Sequence, residues 1–77
     1  MRGKSNKKTT PMDICIGNNI KKIRKQFGYT QTDLARALNV TFQQIQKYEV
    51  GENRITAVRL NQIAKLFETP IEIFFNE

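Results

Sequence analysis

Four threonines punctuate this chain, and they constrain its fold more than any other feature. Thr30, Thr41, Thr56 and Thr69 each stand immediately before a run in which apolar residues recur at helical spacing. A threonine hydroxyl at the start of a helix accepts one of the backbone N–H groups that have no partner within the helix, so the pattern reads as short helices separated by tight turns. Upstream of the first of them, Ile16, Ile20, Ile23 and Phe27 lie on one face of a helix over about residues 13–26, which Gly28 ends. Thr30 opens a second helix over residues 31–38, with Asp33 at its positive end and Leu34, Ala35 and Leu38 on its apolar face. Asn39, a residue type that tolerates the left-handed conformation, begins a turn of about three residues. Thr41, with Gln44 placed to reach back to it, starts a third helix at Phe42 that turns Ile45 and Tyr48 inward and stops at Gly51. Thr56 caps a fourth, whose stripe is Leu60, Ile63, Ala64 and Phe67. Thr69, Pro70 and Glu72 repeat the cap signature, so a short fifth helix is expected to carry Ile73, Phe74 and Phe75. No alternating strand pattern competes. The expected fold is all-α, a compact five-helix bundle containing a helix-turn-helix.

Seventy-seven residues allow one small domain with a modest core and no deep substrate cavity. The chain has one Cys and no His, which removes Cys-His metal sites, Cys-His nucleophile pairs and histidine bases. Asp33, Glu49 and Glu52 form no acid-base pair beyond the needs of capping and a salt bridge, so an enzyme is not expected, nor a metal or other cofactor. Cys15, one residue off the apolar stripe, reads as a small packed side chain, and a lone Cys suits a reducing intracellular setting. No apolar run approaches the roughly 20 residues of a membrane span, and no signal segment is evident, so the expected location is the cytoplasm. Thirteen Lys and Arg oppose seven Asp and Glu, a net charge of +6. Arg2, Lys4, Lys7 and Lys8 concentrate that excess before Pro11. Residues 1–11 have almost no apolar side chains and read as a disordered basic arm, either a tail that follows a phosphate backbone or a solubilising leader. Residues 12–77 read as the folded domain.

The third helix carries the functional signal. Its outer face holds Gln43, Gln44 and Gln46 with Lys47 beside them. Amides pair with the N6 and N7 atoms of adenine, Lys donates to guanine, and an aromatic ring can meet a thymine methyl. A helix solvated for stability alone more often displays Glu and Lys pairs, which support each other one turn apart.

The residues Ile16-Gly17, Ile20, Ile23-Arg24, Gln31, Leu34-Ala35, Leu38, Val40-Thr41, Ile45, Tyr48-Glu49 and Gly51 follow a known register. It resembles the Cro and phage-repressor type helix-turn-helix family, also called XRE, and continues through Leu60, Ile63-Ala64, Phe67 and Pro70, covering about residues 14–75. Asn39 stands where that family usually has Gly. The resemblance implies a bacterial, double-stranded-DNA-binding transcriptional regulator whose third helix enters the major groove. It implies base contacts from Phe42, Gln43, Gln46 and Lys47, and phosphate contacts from Gln31, Gln44, Asn53 and Arg54. Phe42 has a competing place, folded back into the core, and Gln44 a competing use as a capping partner. Arg24 and Glu49 match a pair that ties the first helix to the end of the third by a salt bridge. Lys21, Lys22 and Lys25 read as a solvated face.

The family also implies a homodimer on a near-palindromic operator, because one recognition helix reads few base pairs. The candidate interface is the apolar surplus of Ile73, Phe74 and Phe75 near the carboxyl end. Occupancy of the operator by the dimer is the simplest mechanism, with repression its usual result. Two other readings stay open: an antitoxin that represses its own operon while holding a toxin, and a protein-interaction module on the same fold.

Overall fold

The computed structural model describes residues 9–77, and most of the basic arm, residues 1–8, lies outside them. Four α-helices follow one another: α1 Pro11–Gln26, α2 Gln31–Leu38, α3 Phe42–Glu49 and α4 Ala57–Leu66. A 3-10 turn, Ile71–Phe75, follows α4.

The cap chemistry sets each start. At α2 the Thr30 hydroxyl accepts from the Asp33 N–H at 3.0 Å while the Asp33 carboxylate accepts from the Thr30 N–H at 2.9 Å. Thr41 and Thr56 accept from the N–H groups of Gln44 and Arg59 at 3.2 and 3.1 Å, without the reciprocal side-chain bond that completes the box at α2. α1 starts earlier than its apolar stripe. Thr10 and Asp13 form a second reciprocal box, with Pro11 at the first helical position, where its missing N–H has no helical partner to lose. That signature lies at the polar end of the arm, ahead of the first buried Ile, so apolar periodicity alone starts the helix too late.

Among the described residues the bundle has four α-helices, and the fifth helix expected from the sequence does not form. The Thr69 cap signature does not form: no side chain caps the segment, and its backbone closes in three-residue steps, Ile73 N–H to Pro70 O at 3.1 Å and Asn76 N–H to Ile73 O at 3.4 Å. Five residues are too few to repay the nucleation of an α-helix in isolation, and tertiary anchoring chooses the tighter turn instead. Phe74 enters the core completely while the Asn19 side-chain amide on α1 donates to Phe74 O and Asn76 O, both at 2.8 Å.

The core gathers one stripe from each element, and Ile20, Leu34, Ile45, Ile63 and Phe74 are its most enclosed side chains. α1 packs against α3 and the 3-10 turn, while α2 packs against α3 and α4. The α1–α3 approach depends on Gly17, because a Cβ there would overlap the carbonyl oxygen of Tyr48. The turn between α2 and α3 runs through Asn39 at φ 58°, ψ 47°, a left-handed conformation that Asn adopts more readily than most residues. α4 ends similarly, with Glu68 at φ 52°.

Candidate nucleic-acid interface

α3 has two unlike faces. Ile45, Tyr48 and Glu49 are buried against the bundle, while Phe42, Gln43, Gln46 and Lys47 are exposed. Residues i, i+1, i+4 and i+5 share one side of a helix, so these four form a continuous outward strip. Phe42 is 40% exposed and lies outside the core cluster; of its two possible places, it takes the surface. Gln44 is half-buried between the faces, and its backbone N–H is taken by the Thr41 cap.

The strip is held in place from behind. Arg24 on α1 grips Glu49 at the end of α3 with two parallel bonds, Nε to Oε2 at 2.6 Å and Nη2 to Oε1 at 3.1 Å. The side chains are only 7% and 2% exposed. Such a fork-to-fork pair fixes orientation as well as distance. Arg24 Nη1 also donates to Tyr29 O at 2.8 Å, and Gln31 Nε2, at the first position of α2, donates to Glu49 Oε1 at 2.9 Å. One carboxylate thus joins α1, the start of α2 and the end of α3. Gln31 gives one amide N–H to that network.

The segment after α3 forms the flank of the strip. The N–H groups of Glu52 and Asn53 donate to Lys47 O at 2.9 and 3.2 Å, closing the carboxyl end of the helix. Arg54 reaches back to the start of α1, its Nε 3.3 Å from Asp13 Oδ2, with 60% of its side chain exposed. The bond from the Thr10 backbone N–H is the largest influence on the Asp13 carboxyl and, with the Thr10 hydroxyl and the Arg54 charge, holds it below its ordinary 3.8 against the opposing effect of burial. Bonds from the Thr30 backbone and hydroxyl likewise hold Asp33 low.

Two supports carry no sequence signal. Arg59 Nη1 on α4 donates to Leu38 O at 2.8 Å, satisfying the end of α2 just before the turn into α3. Asn19 on α1 holds the 3-10 turn. Both are polar residues on helices, and only the tertiary approach gives them partners. The Asp13 role was missed by the apolar periodicity, although Thr10-Pro11-x-Asp13 is a cap pattern that marks it. At the proposed interface between copies, Phe74 is wholly buried in its own core, Ile73 is half-buried and Phe75 is 42% exposed. Burial therefore withdraws Phe74 from that surface.

Among the described residues, no group of three or more His, Cys, Asp and Glu could hold a metal ion. None of the described helices is long and apolar enough to cross a membrane.

A braced pair of short helices joined by a three-residue turn, with the second helix presenting a polar strip, defines a helix-turn-helix domain. The chain belongs to the helix-turn-helix family (HTH_3), whose model matches residues 20–74. It is 44% identical over 71 residues to an uncharacterized HTH-type transcriptional regulator of Sinorhizobium medicae, covering 92% of this chain and 51% of that protein. The chain thus spans about half the length of that curated relative. Its fold is similar to that of the restriction-modification controller protein C.AhdI of Aeromonas hydrophila, with a TM-score of 0.74 at 18% identity over 80% of this chain and 94% of that one. It is also similar to part of the hydroxypropylphosphonic acid epoxidase of S. wedmorenis, with a TM-score of 0.81 at 25% identity over 88% of this chain but only 36% of the enzyme's.

Proposed function

We propose that this protein is a sequence-specific, double-stranded-DNA-binding transcriptional regulator that inserts α3 into the major groove. The observation that carries the reading is the outward strip of Gln43, Gln46 and Lys47 on a helix whose opposite side is locked by the Arg24–Glu49 pair. Amide and ammonium groups match base edges, and a fixed helix offers them at one register. In this reading Phe42, Gln43, Gln46 and Lys47 meet bases. Gln44, Asn53, Arg54 and the second amide N–H of Gln31 meet phosphates beside the groove, and the positive start of α2 favours the anion there. Family membership and relatives named as transcriptional regulators support regulation over catalysis. The net charge of +6 suits a polyanion. No cofactor is needed, and the site of action is the nucleoid in the cytoplasm.

A symmetric homodimer on a near-palindromic operator completes the reading, with the recognition helices about 34 Å apart in successive major grooves. Ile73 and Phe75 supply the apolar contact between copies, supported from beneath by the buried Phe74. Occupancy of a promoter-proximal operator would exclude polymerase, making the protein a repressor.

Selection of random duplexes on the full chain at about 150 mM salt, where non-specific binding is weak, tests this directly. Enrichment of an inverted repeat with half-sites one helical turn apart is expected. Retention of DNA without any enriched sequence would overturn the reading and send the search to a protein partner, a toxin among them. For the dimer, Phe75→Asp is expected to lower the mass measured by light scattering to that of one chain. An unchanged mass would place the interface elsewhere.

A further inference from the structure

We infer that Phe42 recognises the C5 methyl group of a pyrimidine in the major groove, so that one position of each half-site is chosen by an apolar contact. The inference rests on the major-groove reading of α3 and assigns one of its positions. Three observations carry it. Phe42 is the first residue of α3 and 40% exposed, whereas Phe74, Phe67 and Tyr48 are 0%, 2% and 8% exposed. The similarly exposed Phe27 packs its ring on Phe67, centroids 4.9 Å apart. Phe42 is instead the one apolar member of a strip whose other members are Gln43, Gln46 and Lys47.

Its position is also defined. The Thr41 hydroxyl accepts the Gln44 N–H at 3.2 Å, and Thr41 O accepts the N–H groups of Gln44 and Ile45 at 3.1 and 3.3 Å. The backbone that carries the ring is therefore set by a closed first turn, and the ring travels with the amides of the strip.

The chemistry of the groove then limits what such a ring can meet. Base pairs present donors and acceptors there, and the apolar exception is the C5 methyl of thymine. A phenyl ring pressed on a donor or acceptor would remove its water and return no hydrogen bond, which is unfavourable. Against a methyl group it removes apolar surface from water on both sides. The same methyl is present on 5-methylcytosine, so the recognised feature is the C5 methyl and its source is a matter of the DNA.

The test begins with the operator enriched from an unmethylated random library by the full chain. Each thymine of a half-site is then replaced in turn by 2′-deoxyuridine, which deletes the methyl and keeps every hydrogen-bonding atom. One position is expected at which wild-type affinity falls about fourfold, the worth of one buried methyl-sized group, and at which Phe42→Ala shows less than half that loss on a logarithmic scale. Phe42 lies outside the core, so the variant is expected to retain its helical circular dichroism. A thymine source appears as thymine enriched in the unmethylated library. A 5-methylcytosine source appears as cytosine enriched only in a library carrying C5-methylated cytosine. An enriched operator without any methyl-sensitive position in either form, or one whose sensitivity is the same in Phe42→Ala, overturns this inference alone. Failure to enrich any sequence from either library overturns it together with the regulator reading.

Discussion

Two Arg–carboxylate pairs connect α1 to the far end of α3 and its following loop, and they differ chiefly in how far the arginine is exposed to water. Arg24 and Glu49 meet through two bonds behind α3, almost fully enclosed, with Gln31 donating to Glu49 and Arg24 donating to Tyr29 O. Arg54 and Asp13 meet at 3.3 Å with the Arg54 side chain 60% exposed, while the Asp13 side chain is largely covered and also held by Thr10. The enclosed pair has lost its hydration, and each charge depends on the other to compensate. In the second pair water reaches the Arg54 side, and Asp13 keeps the bonds from the Thr10 N–H and hydroxyl when Arg54 leaves. The first fixes where the strip of α3 points. The second ties the loop after α3 to the start of α1.

That contrast can be broken most severely at Glu49. Glu49→Gln leaves the Arg24 charge enclosed without compensation and is expected to cost about 3–5 kcal/mol, read from urea unfolding. A midpoint unchanged within error would mean that the clasp contributes nothing to stability.

A sharper version replaces both partners. Arg24→Met combined with Glu49→Leu removes the charges together, and its urea midpoint is expected to recover at least half of the loss, because apolar pairs of similar volume often match buried ion pairs. A double variant no more stable than Glu49→Gln would show that the hydrogen bonds to Tyr29 and Gln31 matter more than the stranded charge.

At the Arg54–Asp13 pair the effects should separate. Arg54→Ala is expected to change stability by less than about 1 kcal/mol while reducing the slope of log affinity against log salt by about 0.9, the share of one phosphate. A full slope with reduced affinity would remove Arg54 from the backbone contacts.

The smallest effect concerns acid. The folded state holds Asp13 and Asp33 below their ordinary value of 3.8, so each stabilises the fold above that pH and loses its contribution as pH falls through the lowered folded value. Melting temperature is therefore expected to be insensitive to these two groups above about pH 5 and to decline below about pH 4. Asp33→Asn should flatten part of that decline. An acid limb identical in the variant would assign the loss to other carboxylates.

The comparison also marks how far local pattern reaches. The caps of α2, α3 and α4 follow from Thr30, Thr41 and Thr56, because a hydroxyl one residue ahead of a helix bonds an N–H only three residues along the chain. The same logic misled at Thr69, where the cap pattern is present but Phe74 burial and the Asn19 bonds pull the segment into a 3-10 turn. The candidate strip was legible as an amide-rich helix face, but whether Phe42 joined it or the core was not. Nor was the withdrawal of Phe74 from the surface, since three adjacent apolar residues carry no mark of which one enters the core.

Sequence alone determined the order of the helices, the turn between α2 and α3 and the stripes that form the core, because these depend on contacts a few residues apart and on periodicity. Tertiary structure alone decided that Asn19 and Arg59 would fasten distant backbone carbonyls. It also decided that Gln31 would share Glu49 with Arg24 and that the last segment would be a 3-10 turn. Those outcomes depend on which surfaces meet after collapse, and partners separated by up to 57 residues along the chain are related only by the packing that brings them together.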